Sequence, residues 1–229
     1  MFRSLLSAVG VIVSLSVTAP VRADEEPTGD QILHLVRLSY KGQDYQLTGM
    51  LRNDRTGKKD AFTLTLQHQL IRFRFADPAE IVSLDLATTP ASLTRVLPGS
   101  KTEVPLARYD EEVRGMVFNY EDLALRFLYW PNAKLIGTDR VKLAKCWKVR
   151  VVNPDGRTAY GTVDLWVHQG SGGIARMEAY DFKGKLVKRF EVISVQKHEG
   201  ETILKEMRVE GIDPDSGKVT GRGYMKLDK

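Results

Sequence analysis

In Asp60-Ala61-Phe62-Thr63-Leu64-Thr65-Leu66-Gln67-His68-Gln69-Leu70-Ile71-Arg72-Phe73-Arg74-Phe75, apolar and polar side chains change places at every step from Phe62 to Gln67 and again from Ile71 to Phe75. Phe62, Leu64 and Leu66 point one way, as do Ile71, Phe73 and Phe75, while Thr63, Thr65, Arg72 and Arg74 point the other. A period of two belongs to a strand with one dry face and one wet face. Upstream, Tyr45, Leu47, Gly49 and Leu51 alternate with Gln46, Thr48, Met50 and Arg52 up to the turn Asn53 to Lys58. Downstream, strands are expected over Ile81 to Ala87 and Ser92 to Leu97, then a polar loop from Pro98-Gly99 to Pro105. After Pro131 the strands resume over Lys134 to Lys142, Cys146 to Asn153, Tyr160 to His168, Ile174 to Phe182, Leu186 to Gln196, Thr202 to Glu210 and Val219 to Leu227. Asn153-Pro154-Asp155-Gly156, Gly170 to Gly173, Lys183-Gly184-Lys185, His198-Glu199-Gly200 and Asp213 to Gly217 supply the turn chemistry between them. About a dozen strands at meander spacing predict a mainly β fold, one large and strongly curved antiparallel sheet or barrel.

Two segments break the period. Asp30 to Ser39 repeats Ile32, Leu33 and Val36 at helical spacing, a short helix that Thr28 or Asp30 can cap. In the centre, Asn119 followed by Glu121-Asp122 starts a helix with its acids in the first turn, and Pro131 stops it. Along that helix Leu123, Phe127 and Trp130 share a stripe, with Tyr120 one turn earlier, so it must cover something apolar. The two helices are left to plug or cap the sheet.

The first 23 residues carry Arg3, an apolar run from Leu5 to Val17, Pro20 and the small-residue site Val21-Arg22-Ala23, the pattern of a cleaved export signal. The apolar run falls short of the roughly 20 residues a bilayer span needs. No cysteine follows it to take a lipid anchor. The mature chain is therefore expected to be one soluble domain, 24–229, working as a monomer in the periplasm without ATP. Its 32 basic and 29 acidic side chains, spread along the chain, speak against nucleic acid, which selects a basic stripe. Cys146 is the sole cysteine, which excludes an intramolecular disulfide; it is expected to face the hydrophobic interior.

The search for chemistry yields no catalytic residue, metal site or cofactor. His34, His68, His168 and His198 are scattered singly, without metal-ligand spacing, and no nucleophile elbow occurs. Gly211 to Val219 has one residue too many for a phosphate loop and places Val219 where serine or threonine must bind magnesium. Neither that segment nor Asn153 to Gly156 has the alternating carboxylates of a calcium loop, and both read as hairpin turns. The basic run Lys183 to Arg189 reads as a hairpin tip with a solvated, charged edge, with anionic headgroups or an acidic partner as the functional alternative.

Gly115 to Leu123, with Phe118-Asn119-Tyr120-Glu121-Asp122-Leu123 at its core, is followed by Cys146-Trp147-Lys148-Val149, by the hairpin Tyr180-Asp181-Phe182-Lys183-Gly184-Lys185 and by Met207 to Glu210. This ordered combination resembles the exported outer-membrane lipoprotein-sorting family, relatives of the LolA and LolB carriers. The resemblance implies a half-open antiparallel β-barrel with helices as a lid over an apolar cavity. It implies as ligand a lipid or lipoprotein acyl chain, and as partners lipoprotein-transfer proteins of the inner or outer membrane. Phe62, Leu64, Leu66, Phe73 and Phe75 from the strands, with Leu123, Phe127 and Trp130 from the lid, are the expected cavity lining. The carriers tie lid to barrel by a buried arginine, for which Arg72, Arg74 and Arg95 are available on strands. The alternative is an envelope interaction or stress-sensing module with a filled core that binds protein at its open sheet edge.

Overall fold

The computed structural model describes residues 26–39, 44–88 and 91–228; the export signal read over 1–23 lies outside them. After α1 (Gly29–Ser39) come β1 (Tyr45–Asn53), β2 (Lys59–Gln67), β3 (Leu70–Phe75), β4 (Glu80–Asp85), β5 (Ser92–Leu97) and β6 (Ser100–Glu103). An irregular crossover holds α2 (Tyr120–Ala124). It leads to β7 (Lys134–Val141), β8 (Ala144–Val152), β9 (Thr162–His168), β10 (Ile174–Tyr180), β11 (Leu186–His198), β12 (Glu201–Ile212) and β13 (Val219–Asp228).

All 13 strands form one antiparallel sheet in the order β6-β5-β4-β3-β2-β1-β13-β12-β11-β10-β9-β8-β7. Each half is a plain meander. The pairing of β1 with β13, Leu51 opposite Met225 and Gly49 opposite Leu227, welds the halves together. Strands β6 and β7 remain as edges, so the sheet is open, as the half-open reading expects.

Alternation sets the two faces. Leu47, Leu51, Phe62, Leu64, Leu66, Ile71, Phe73, Phe75, Val82 and Leu84 are all buried on one side. Across the weld, Met225, Val209, Phe190, Met177, Leu165 and Val149 continue the same bed. The opposite face is a ladder of charges: Arg150 donates to Asp164, Arg189 to Glu178, Arg176 to Glu191 and Arg222 to Glu210. Cys146 is buried on that outer side, in a small separate cluster with Val141 and Trp166 rather than in the main core.

The basic run 183–189 does not form an edge, because β11 lies inside the sheet. Lys185 pairs with Asp215, Lys188 turns into the core and Arg189 joins the outer ladder. The polar loop expected after Pro98-Gly99 proves to be a strand, β6, paired with β5 through that two-residue turn, with Gly99 at φ 79°. All four of its side chains are exposed, so no alternation betrays it.

Thr28 caps α1 by a reciprocal box: the Gln31 N–H donates to its hydroxyl, and the Gln31 side chain accepts from the Thr28 N–H. Ile32, Leu33 and Val36 are fully buried at the β7–β8 end of the sheet. The second helix departs from expectation. Asn119 caps it by the same kind of box with Asp122, but it stops at Ala124, and Leu125 takes a left-handed φ of 49° before a 3₁₀ turn over Arg126–Tyr129. Eight of the eleven residues from Tyr120 to Trp130 are apolar or aromatic, too many for one face of a straight helix; the break buries Tyr120, Leu123, Phe127, Leu128 and Trp130 together.

At the weld, Gly49 leaves no room for a side chain: a Cβ would lie 2.4 Å from the Phe62 ring tip and 2.8 Å from the Lys226 carbonyl oxygen. Gly49→Val is expected to lower stability by about 1–3 kcal/mol through overpacking. Urea unfolding followed by circular dichroism checks this, and an unchanged midpoint would refute it.

Candidate functional site

The dry face of the sheet is roofed by the crossover between β6 and β7, residues 106–130, a chain of short 3₁₀ turns around α2. All eight expected lining residues are buried in the one core beneath this roof: Phe62, Leu64, Leu66, Phe73 and Phe75 from the sheet, and Leu123, Phe127 and Trp130 from above. Phe62 packs on the rings of Phe73 and Phe75, and Phe127 meets Trp130 edge-on. The bed is unevenly sealed. Leu64, Leu66, Ile71 and Phe73 keep 7–8 % exposure, whereas Val82, Leu84 and Leu93 on the next strands have at most 1 %. A shallow surface concavity lies apart from this bed, beside α1, lined by Pro27, Asp30, Gln31, His34 and Leu35.

Polar latches at the rim hold the roof. At one corner Asp60 and Glu80 share the inward parity of Phe62 and Val82, so both carboxylates face the dry side. Arg114 comes down from the roof to meet them. Its Nε and Nη2 donate to Asp60 at 2.6 and 3.1 Å, and its Nη1 donates to Glu80 at 2.8 Å. The guanidinium also donates to the carbonyls of Asp77 and Pro78 and lies 4.5 Å over the Phe75 ring. Its side chain is 5 % exposed, against 8 % for Asp60 and 3 % for Glu80. Arg114 itself has φ 56°, a strained conformation for a residue with a side chain, which the converging contacts hold in place. Asn53 Nδ2 and Lys58 Nζ donate to the Gly115 and Arg114 carbonyls, fastening the backbone as well.

This reverses the expected polarity of the tie. Arg72 and Arg74 sit on the outer face of β3, and Arg95, though turned inward, pairs with Glu80 from within the sheet. The tie comes instead from an arginine of the roof onto carboxylates of the sheet. Its signal in the sequence was the pair of acids at inward positions, Asp60 and Glu80, each of which needs a partner once the face is closed.

A second latch holds α2. Asp122 accepts from Lys188 Nζ at 2.8 Å, from the Tyr160 hydroxyl at 2.6 Å and from the Asn119 N–H at 2.8 Å. Lys188 reaches it because it points inward between Ala179 and Gly211. Burial, then the neighbouring Asp122, pushes the Tyr160 phenol well above its ordinary range, so it stays a donor. Beside this latch, Arg126 reaches Asp155 of the β8–β9 loop at 3.2 Å, and Arg37 of α1 donates to the Leu128 carbonyl.

The four histidines stand apart: His34 on α1, His68 in the β2–β3 turn, His168 bonded to Ser171, and His198 edge-on to the Tyr45 ring. Asn153 to Gly156 and Asp213 to Gly217 are hairpin turns whose first residue accepts from the turn's own backbone. The Ser171 hydroxyl meets the His168 imidazole only within the exposed β9–β10 turn, where the Ser171 N–H donates to the same ring nitrogen. What the geometry offers is an apolar bed under a roof fixed by ionic latches.

Arg114→Met takes the forked partner from Asp60 and leaves Glu80 with Arg95 alone on the closed face, and is expected to cost about 3–5 kcal/mol of stability. Arg114→Lys restores only part of this, since one ammonium cannot reproduce the forked contacts. Chemical denaturation of both variants is the check, and a loss below about 1 kcal/mol in the methionine variant would remove the latch role.

The fold is shared with solved proteins. The chain superposes with a TM-score of 0.70 on a DUF1329 family protein from Desulfovibrio piger, at 20 % identity over 88 % of this chain and 90 % of that one. An outer membrane lipoprotein-sorting protein domain from Vibrio parahaemolyticus gives 0.68 at 13 % identity, covering 86 % and 90 %. A LolA superfamily protein from Nitrosomonas europaea gives 0.66 at 16 %, covering 89 % and 93 %. No curated protein is close enough in sequence to count as a match. Residues 97–222, which span the roof with Arg114, the second latch and most of the second meander, match a family described as "-like: Uncharacterized protein". With more than half its length under that description, the chain belongs to this uncharacterized family and has the LolA-like fold.

Proposed function

We propose that this protein, exported and matured to a single domain of residues 24–229, is a non-catalytic periplasmic carrier of a lipid or of a lipoprotein acyl chain. The ligand lies in the apolar bed, against Phe62, Leu64, Leu66, Phe73, Phe75, Leu123, Phe127 and Trp130. One observation carries the reading: a wide dry sheet face is covered by a segment with little regular structure of its own, held at its rim by ion pairs. Polar latches exchange readily with water, so such a roof can lift as a unit while the sheet beneath stays intact. The lipoprotein-sorting name of the Vibrio parahaemolyticus neighbour supports the same ligand class.

Desolvation drives binding. Each buried methylene contributes about 0.8 kcal/mol, so one chain of ordinary length supplies ample affinity once the roof admits it. The residual exposure of Leu64, Leu66, Ile71 and Phe73 marks where the bed is least sealed. The alternative, a filled core serving a protein-binding module, draws on strand β7, an eight-residue edge with mostly exposed side chains.

Native mass spectrometry with lipid extraction, on protein purified gently from the envelope, tests the carrier. Wild-type protein is expected to bring down acyl lipid or lipoprotein and to bind a fluorescent fatty acid at least about tenfold more tightly than a Leu123→Glu, Phe127→Glu double variant. Leu64→Trp, which fills the bed without adding charge, should weaken binding in the same direction. Bare protein that also ignores the probe would transfer the role to the β7 edge.

A further inference from the structure

Glu121 is the one fully buried carboxylate of the roof, with no exposure, and neither of its oxygens receives a hydrogen bond. Every other inward acid described above has its donors: Asp60 and Glu80 have Arg114, and Asp122 has Lys188, Tyr160 and the Asn119 N–H. Glu121 has only Arg126 nearby. The closest approach, Nη1 to Oε2, is 3.5 Å, and that Nη1 also lacks a hydrogen bond, because the guanidinium is drawn toward Asp155 on the β8–β9 loop.

The other groups around it supply no compensating charge. From α2 comes Asp122, already neutralised by Lys188; from the β8–β9 loop comes Asp155, which also meets Arg157. Tyr109, from the turn before, offers its backbone carbonyl to the Glu121 N–H, and Tyr160 spends its hydroxyl on Asp122. The next residue but three is Leu125, whose left-handed backbone breaks the roof between α2 and the following 3₁₀ turn.

We propose that Glu121 is a proton-operated catch on the roof: uncharged, it lets residues 106–130 lie closed over the apolar bed, and its ionisation drives that segment open. The proposal rests on the carrier reading for its purpose, though not for its test. A neutral carboxyl tolerates such a site, whereas a carboxylate there has no solvent exposure and only Arg126 at 3.5 Å, and regains hydration when the roof lifts. Desolvation, reinforced by Asp122 and Asp155 and opposed by Arg126, raises its pKa from the ordinary 4.5 to about 7. The closed form therefore binds a proton that the open form releases between those values. Closure is fully favoured at the acid end and weakens as pH rises through that window.

Hydrogen exchange of the ligand-free protein between pH 5 and 8, corrected for intrinsic rates, reads the catch directly. Protection of the 106–130 amides is expected to fall by about one to two orders of magnitude across this range, while the β9 amides keep theirs. In Glu121→Gln the roof should stay protected throughout, at the acid-form level. Asp155→Asn removes a negative neighbour and frees Arg126 for Glu121, so its transition should move to lower pH. A flat wild-type profile, or one unchanged in Glu121→Gln, overturns the catch. Should the glutamine variant not fold, an unshifted transition in Asp155→Asn overturns it equally. Because no ligand is present, a pH-dependent roof on a protein that binds no acyl chain would sink the carrier reading alone.

Discussion

Charges placed on the dry face of the sheet govern everything else in this molecule. Asp60 and Glu80 on one meander, and Lys188 on the other, sit at inward positions among leucines and phenylalanines. An apolar sheet face alone could be covered in many registers, because hydrophobic contact has little direction. A buried carboxylate or ammonium accepts only a partner of opposite sign in the right place. Arg114 and Asp122 are those partners, and between them they set where the crossover starts its descent and where α2 begins. The roof is thus positioned by a few ionic contacts and made dry by the side chains between them.

That division of labour accounts for the irregular backbone of the roof. Arg114 at φ 56° and Leu125 at φ 49° are both residues for which a left-handed turn is costly. Arg114 turns so that its guanidinium can fork over two strands, and Leu125 turns so that apolar side chains on both sides of a would-be helix reach the core. The outer face follows the same logic: its arginines pair with acids across strands β8 to β13, and the partly exposed guanidiniums of Arg150 and Arg222 neutralise the buried Asp164 and Glu210.

The sheet is likewise built from local and remote parts. Eleven of its pairings join strands consecutive in sequence, and they form by simple chain reversal at turns such as Pro98-Gly99 and Asp213 to Gly217. One pairing, β1 with β13, is made across almost the whole chain, and there Gly49 sits between the Phe62 ring of its own meander and the Lys226 backbone of the other. The crossover can span both meanders because this weld holds them in one sheet.

The strands, their dry face and the caps at Thr28 and Asn119 were legible in the amino-acid sequence, because period, turn chemistry and capping act between residues a few positions apart. The burial of Phe62, Leu64, Leu66, Phe73, Phe75, Leu123, Phe127 and Trp130 was legible for the same reason, as inward positions of strands and of a greasy central segment. Beyond its reach lay the partner of each inward charge: Arg114 meets acids more than thirty residues away, and Asp122 meets Lys188 across the sheet. The break at Leu125, the exposed strand β6, the scattering of the 183–189 cations over three environments and the isolation of Glu121 were also out of view. Each of these depends on what the folded sheet places opposite a residue, and a short window of sequence holds no record of that.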